Sequence, residues 1–273
     1  MASDKKVVLI TGGNTGLGLE VVKALYKTDT PYDIIIGCRT VSKGEAAVES
    51  VKKEIAQSPS TLSVIQADLE SDSSLEKAVE AISSKYGRLD VLINNGGASF
   101  DPEIRDGKMT LREGFNASWN TNVSGTHVLT TLAVPLLLKS ADPRLMFVTS
   151  GTSTLAETER LDSPNLARIN ASPPAGWPKP AATMPFTAYR SAKTGLNMLM
   201  REWHRILRND GVKVWCISPG FLATGLGNAG ADKLKQMGAL DPSEGGNFIK
   251  DVVQGKRDQD VGKVIRANMI QPW

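Results

Sequence analysis

Tyr189 and Lys193 stand four apart in Tyr-Arg-Ser-Ala-Lys, at the start of a long helical pattern. Residues at that spacing share a helix face, so the phenol and the ammonium come side by side. A free phenol titrates near 10 and is a poor proton donor or acceptor at neutral pH; a cation held close favours the phenolate and lowers that value. Such a pair suits acid/base chemistry on a carbonyl or an alcohol. Of the four tyrosines only Tyr189 has a lysine at this spacing. The same spacing also suits an ordinary solvated face, so the rest of the chain has to decide.

A second group of residues points to a nucleotide. Thr-Gly-Gly-Asn-Thr-Gly-Leu-Gly follows the first apolar run, with Gly12, Gly16 and Gly18 leading into a helix that begins near Leu19. Glycines there permit a tight turn and close approach to a pyrophosphate, and the helix start offers free N–H groups and a positive dipole end. The turn lies between a strand and a helix in the first βαβ unit, the context a dinucleotide motif needs. At the end of the second strand a carboxylate would select NAD(H), but the chain has Cys38, then Arg39, with Lys43 close behind. A guanidinium fork suits a 2′-phosphate and favours NADP(H), although Arg39 could instead simply end a strand in water. Asp68, after the third strand, either accepts from an adenine amino group or caps the helix starting near Ser71.

The elements that must hold these residues are legible as strands over Lys6–Thr11, Asp33–Cys38, Leu62–Ala67, Val91–Asn94, Leu145–Thr149, Val212–Ser218 and Lys263–Ala267, separated by stretches of helical period. Apolar strands alternating with helices predict a parallel sheet buried on both faces, with ligands beyond the carboxyl ends of its strands. From Gly151 to Pro185 the rhythm fails; this stretch holds six prolines and little periodicity. A long loop at the ligand end of a sheet is a candidate substrate wall.

These motifs together resemble the short-chain dehydrogenase/reductase family, most closely its NADPH-dependent carbonyl reductases. The resemblance covers the chain nearly end to end. It rests on the glycine pattern at Gly12, Gly16 and Gly18, on Asn94-Asn95-Gly96-Gly97 where the family has Asn-Asn-Ala-Gly, on Asn122 in Asn-Val-Ser-Gly, on Ser150, on Tyr189 with Lys193, and on Pro219-Gly220 with Thr224. It implies one domain over 1–273: a Rossmann-type, doubly wound α/β sheet of about seven parallel strands with helices on both faces. It further implies reversible NADPH-dependent reduction of a ketone or aldehyde. Tyr189 would give the proton and Ser150 would bond the same oxygen. Lys193 would lower the phenol's pKa and bind the nicotinamide ribose, while Asn122 would hold a proton-relaying water. Cofactor contacts are expected from Gly12, Asn14, Thr15, Gly16, Leu17, Gly18, Arg39, Lys43, Asp68, Leu69, Asn95, Gly96, Tyr189, Lys193, Pro219, Gly220, Leu222 and Thr224.

Two departures stand out. NADP(H)-preferring relatives often carry a basic residue inside the glycine turn, where this chain has Asn14 and Thr15, so the phosphate preference rests on Arg39 with Lys43. Ser150 and Tyr189 are also unusually far apart, separated by the Pro-rich insertion at 151–185 that only carbonyl-reductase-like branches share. Trp177, Met184, Phe186, Phe221 and Leu222 are the expected walls for a lipophilic carbonyl. The alternative readings are a biosynthetic reductase acting on an imine or a natural-product intermediate, and an NADPH-binding sensor or scaffold without turnover.

Composition narrows the rest. The 273 residues suffice for one large domain, and 32 basic against 29 acidic residues are scattered, not gathered into a stripe. No nucleic-acid partner is expected. No run approaches the eighteen or so apolar residues of a membrane span and no apolar signal region opens the chain, so a cytoplasmic monomer or homodimer is expected. Cys38 and Cys216 read as small core residues, Trp203 and Trp215 as core, and His127 and His204 lack neighbours for a metal site.

Overall fold

Neighbouring side chains along β1 (Lys6–Thr11) enter different cores, Val7 and Leu9 on one side, Val8 and Ile10 on the other. That is the period-two consequence of an extended chain buried on both faces. The same division runs through β2 (Tyr32–Cys38), β4 (Val91–Asn94) and β5 (Arg144–Val148). With β3 (Thr61–Gln66), β6 (Lys213–Ile217), β7 (Val264–Arg266) and β8 (Met269–Ile270) they form one sheet in the order β3-β2-β1-β4-β5-β6-β7-β8. This computed structural model describes residues 5–180, 186–226 and 230–273.

Helices cover both faces. On one side α1 (Gly16–Tyr26), α2 (Val41–Glu54) and α10 (Pro242–Val253) bury Val21, Leu25, Val51, Ile249 and Val252 against Ile10, Ile34, Ile93 and Trp215. On the other, α3 (Asp72–Tyr86), α6 (Gly125–Leu137) and α8 (Thr187–Leu207) bury Leu75, Leu129, Leu196, Met200 and Trp203 against Leu9, Leu92, Leu145 and Phe147. Two short helices, α4 (Asp101–Arg105) and α5 (Leu111–Trp119), follow β4. In the insertion lies α7 (Pro164–Asn170), and α9 (Ala231–Gln236) precedes α10. Cys38, Cys216, Trp203 and Trp215 are all buried, as expected. No helix among the described residues is long and apolar enough to cross a membrane.

The parallel register is continuous from β3 to β7; Ile10 stands between Ile36 and Ile93. Chain order reverses between β1 and β4, which opens a crevice at their carboxyl ends. The sheet has one strand beyond the seven expected. Met269 and Ile270 turn back antiparallel on Ile265 and Arg266, and two exposed residues are too few to show an alternating pattern. The insertion also carries a helix. Ser163 accepts from the Leu166 N–H and Pro164 takes the first helical position, so α7 begins on a standard cap although its seven residues are too few for a period.

Candidate active site

The glycine turn closes on itself and on the end of β4. Gly12 has φ +64°, in the left-handed region that a side chain would resist, and its N–H donates to the Gly37 carbonyl at 2.8 Å. A Cβ on Gly18 would come within 2.3 Å of the Gly12 oxygen, so α1 can pack this close to the turn only with glycine there. Thr15, the residue before α1, makes no side-chain cap, and the helix's first turn carries no acidic residue. Its opening N–H groups therefore meet an anion without competition from the protein. Thr224 stands over the turn, in ordinary contact distance of a Cβ on Gly16. Asn95 is a buttress: its amide donates to the Thr11 and Gly12 carbonyls at 2.8 and 3.4 Å, while the Gly96 N–H donates to Thr11 Oγ1 at 2.8 Å. Leu69 closes the crevice next to Gly96, and Leu17 and Leu222 pack instead at the site of Gly245.

At the end of β2 the Arg39 and Lys43 side chains are exposed, and neither makes an ion pair among the described residues. Asp68 does not cap α3; Ser71 does, accepting from Ser74 N–H. The Asp68 carboxylate accepts from the Glu70 N–H at 3.1 Å. The donors, the glycine cradle and the unpaired guanidinium fit a phosphorylated dinucleotide.

The second half of the site is built on α8. Its apolar stripe Ala188, Ala192, Leu196, Met200, Trp203 and Leu207 faces the sheet, and Lys193 is drawn in with it to 4 % exposure. The Lys193 ammonium donates to the Val148 carbonyl at 3.0 Å and lies 5.7 Å from the centre of the Tyr189 ring. Burial pulls that ammonium down to about 8. The expectation that it would lower the phenol's pKa does not hold at this separation: burial pushes Tyr189 up to about 12, and hydrogen bonding with Ser150 offsets only part of that. The phenol is held neutral, with its proton on. Ser150 caps a short 3₁₀ turn (Gly151–Ser153), its Oγ accepting from Thr152 N–H at 3.1 Å.

Asn122 reaches the same place from the other side. Between α5 and α6 the chain runs through a π-helical turn (Asn120–Ser124), an irregularity often kept for a site. Asn122 is completely buried there; its amide donates to the Ala98 and Ser118 carbonyls at 2.8 Å each and its oxygen accepts from Ala98 N–H at 3.3 Å. A Cβ on Gly97 would stand 2.5 Å from the Asn122 oxygen and 3.2 Å from Lys193 Nζ, so the two converge on that glycine. The side chain is thus engaged with main chain, and it shapes the wall beside Lys193.

Two residues missed in the sequence hold this arrangement. Asp101, 6 % exposed, accepts from Ala188 N–H and Tyr189 N–H at 2.9 Å each and caps α8 from 87 positions away. Locally it reads only as an Asp-Pro helix start. Arg190 donates to the Thr152 and Ile169 carbonyls and to Asn170 Oδ1 at 3.0 to 3.1 Å, lashing α7 to α8.

The residues expected as substrate walls lie in different surroundings. Trp177 is 80 % exposed on a Pro- and Gly-bounded segment with no element to hold it. Phe186 lines a cavity of about 670 Å³ shared with Trp119, Leu155, Thr187, Ser191 and Gly195. Those α8 residues lie on the helix face opposite Tyr189 and Lys193. Leu222 is 8 % exposed and bridges to Leu240. Met184 lies outside the described residues. Phe221 remains beyond the end of β6, with the Arg168 guanidinium of α7 at 5.4 Å over its ring.

Comparison with known proteins agrees with this geometry. The family model described as short chain dehydrogenase matches residues 6–160. The chain is 44 % identical over 272 residues to the short-chain dehydrogenase/reductase tropE of Talaromyces stipitatus, covering 99 % of each chain. It is 45 % identical over 281 residues to eupG of a Phoma species, covering 100 % of this chain and 99 % of that one. In fold it is similar to an NADPH-bound carbonyl reductase from chicken fatty liver, with TM-score 0.76 at 21 % identity over 98 % of this chain and 99 % of that one. A dinucleotide cradle at the β1/β4 switch point, a half-buried tyrosine one turn from a buried lysine and beside a strand-end serine, and end-to-end likeness to two such proteins lead to one assignment: the chain belongs to the short-chain dehydrogenase/reductase family of oxidoreductases.

Proposed function

We propose that the protein reduces a ketone or aldehyde with NADPH, and oxidises the alcohol in reverse. The observation that carries this reading is the neutral, half-buried Tyr189 phenol beside Ser150 and one helical turn from a buried lysine. A nicotinamide held in the crevice would supply the hydride. As negative charge grows on the substrate oxygen, Tyr189 gives it the phenolic proton and Ser150 Oγ donates a hydrogen bond to the same atom. Lys193 stands one helical turn away, its ammonium held on the Val148 carbonyl. In oxidation the same phenolate takes the proton back. Gly12, Asn14, Thr15, Gly16 and Gly18 would hold the pyrophosphate, Asp68 and Leu69 the adenine side, Lys193 the ribose next to the nicotinamide, and Pro219, Gly220 and Thr224 its far edge. Arg39 with Lys43 would take the 2′-phosphate. Asn122, Asn95 and Gly96 would shape the cleft between them.

The test is NADPH consumption over a panel of ketones, aldehydes and quinones by the wild type and by Tyr189→Phe. The variant should bind NADPH as before and lose about 10²- to 10⁴-fold in kcat, the range of a positioned proton donor. Full turnover by the variant would remove Tyr189 as the acid.

A further inference from the structure

The main chain of Ser150 is held from the far end of the sequence. Gln271, 2 % exposed just after β8, donates its amide Nε2 to the Ser150 carbonyl at 3.2 Å and to Ser153 Oγ at 3.4 Å. Its Oε1 accepts from Arg266 Nε at 3.0 Å. An arginine has only donors, so the amide has one possible orientation: oxygen toward Arg266, nitrogen toward Ser150. Arg266 is fixed in turn by both carboxylate oxygens of Glu157, a buried residue of the insertion; Nη1 bonds Oε1 at 3.0 Å and Nη2 pairs with Oε2. The Gln271 N–H donates to the Val264 carbonyl at 2.8 Å, which anchors it to β7.

Ser153 joins this chain of bonds to α8. Its Oγ donates to the Ser150 carbonyl at 2.6 Å and accepts from Asn197 Nδ2 at 2.9 Å, one turn beyond Lys193. The Ser153 carbonyl accepts from Thr194 Oγ1 at 2.9 Å. The serine loop is therefore clamped between α8 and Gln271, all within a buried polar cluster where each missing partner is costly.

We propose that Gln271 is a positioning residue for catalysis: it carries the Glu157–Arg266 ion pair of the insertion to the Ser150 main chain and so aims Ser150 Oγ at the oxygen that Tyr189 protonates. Seating of the insertion is thereby coupled to the donor geometry at Ser150. The inference rests on the role given to Ser150 above.

The informative variant is Gln271→Glu. The carboxylate still accepts from Arg266, which preserves the anchor, but it has no N–H for Ser150; Gln271→Ala removes both. Wild type, both variants and Ser150→Ala are compared by kcat and KM on a carbonyl that the wild type turns over, by NADPH affinity from fluorescence, and by hydrogen exchange of the 149–158 segment. Gln271→Glu should lower kcat about 10- to 100-fold, as expected for a misplaced donor. KM and NADPH affinity should stay within about twofold, and exchange should quicken only in that segment. Unchanged kcat in Gln271→Glu overturns the proposal, as does a loss matched by weaker NADPH binding and faster exchange throughout, which marks general damage. If no carbonyl is turned over by the wild type, the reductase reading fails on its own. Exchange then decides the clamp: unchanged protection at 149–158 in both variants overturns it.

Discussion

A half-buried phenol beside a buried ammonium raises the question of which effect sets the proton. Desolvation acts on both groups in the same sense, favouring the neutral form of each, so it lifts Tyr189 to about 12 and lowers Lys193 to about 8. The direct attraction expected from the four-residue spacing loses because Nζ turns to the Val148 carbonyl. The result suits an acid: the phenol keeps its proton until an oxygen of rising charge is beside it. The same residue-scale logic governs cofactor choice. Arg39 is exposed and lacks an ion-pair partner among the described residues, so its guanidinium is free for a phosphate. Arg39→Asp reverses that charge at the strand end. The variant should lose about 10- to 100-fold in kcat/KM with NADPH, one charge-assisted contact to a phosphate, and should gain with NADH. Kinetics with both cofactors check it; unchanged preference would place phosphate recognition elsewhere.

At the scale of elements, α8 positions Tyr189 only as well as its first turn is held. Phe186, at the cap position, offers no side-chain acceptor, and the Asp101 carboxylate serves instead, with favourable sign at the positive end of the helix. Asp101→Ala should cost about 2 kcal/mol, the range for hydrogen bonds to a charged group at a helix start. It should also lower kcat more than it changes NADPH affinity. Denaturant unfolding and kinetics read the two effects separately; an unaltered unfolding midpoint would contradict the cap. Asp101 also shows where sequence reading stops. The glycine turn, Tyr189 and Lys193 are legible because each motif is local, with strand and helix signals on both sides. Asp101 and Gln271 act across 88 and 121 positions, and no local pattern marks a carboxylate or an amide for a partner that only the folded topology supplies. The insertion is opaque for another reason: Arg190, Asn170 and Glu157 order it through single polar contacts, not through a periodic apolar face.

Across the whole molecule the two ends of the sheet are built differently. The carboxyl ends hold the crevice and its loops, while the opposite end is stapled by charge. Lys6, Arg144 and Lys213, at the starts of β1, β5 and β6, share Asp142 at 2.9 Å each, and Arg144 and Lys213 also bond Asp258 at 2.7 Å. Arg144 is 4 % exposed, so its charge depends on these carboxylates for compensation. Burial alone would raise the Asp142 carboxyl, but hydrogen bonds from Lys6, Lys213 and Arg144 outweigh it and hold the group well below the usual carboxylate range. A carboxyl depressed in the folded state contributes stability that is complete above its unfolded value, near 4, and is lost as pH falls through the lower folded value. Asp142→Asn should therefore cost about 1–3 kcal/mol at neutral pH, between the values for exposed and buried pairs, and the gap from wild type should close as the medium is acidified below about pH 4. Because the staple lies at the end away from Tyr189, turnover at neutral pH should be retained. Urea unfolding of both proteins from neutral to acid pH measures the gap directly, and a gap that stayed constant through that range would mean the Asp142 charge is not what holds the three strand starts together.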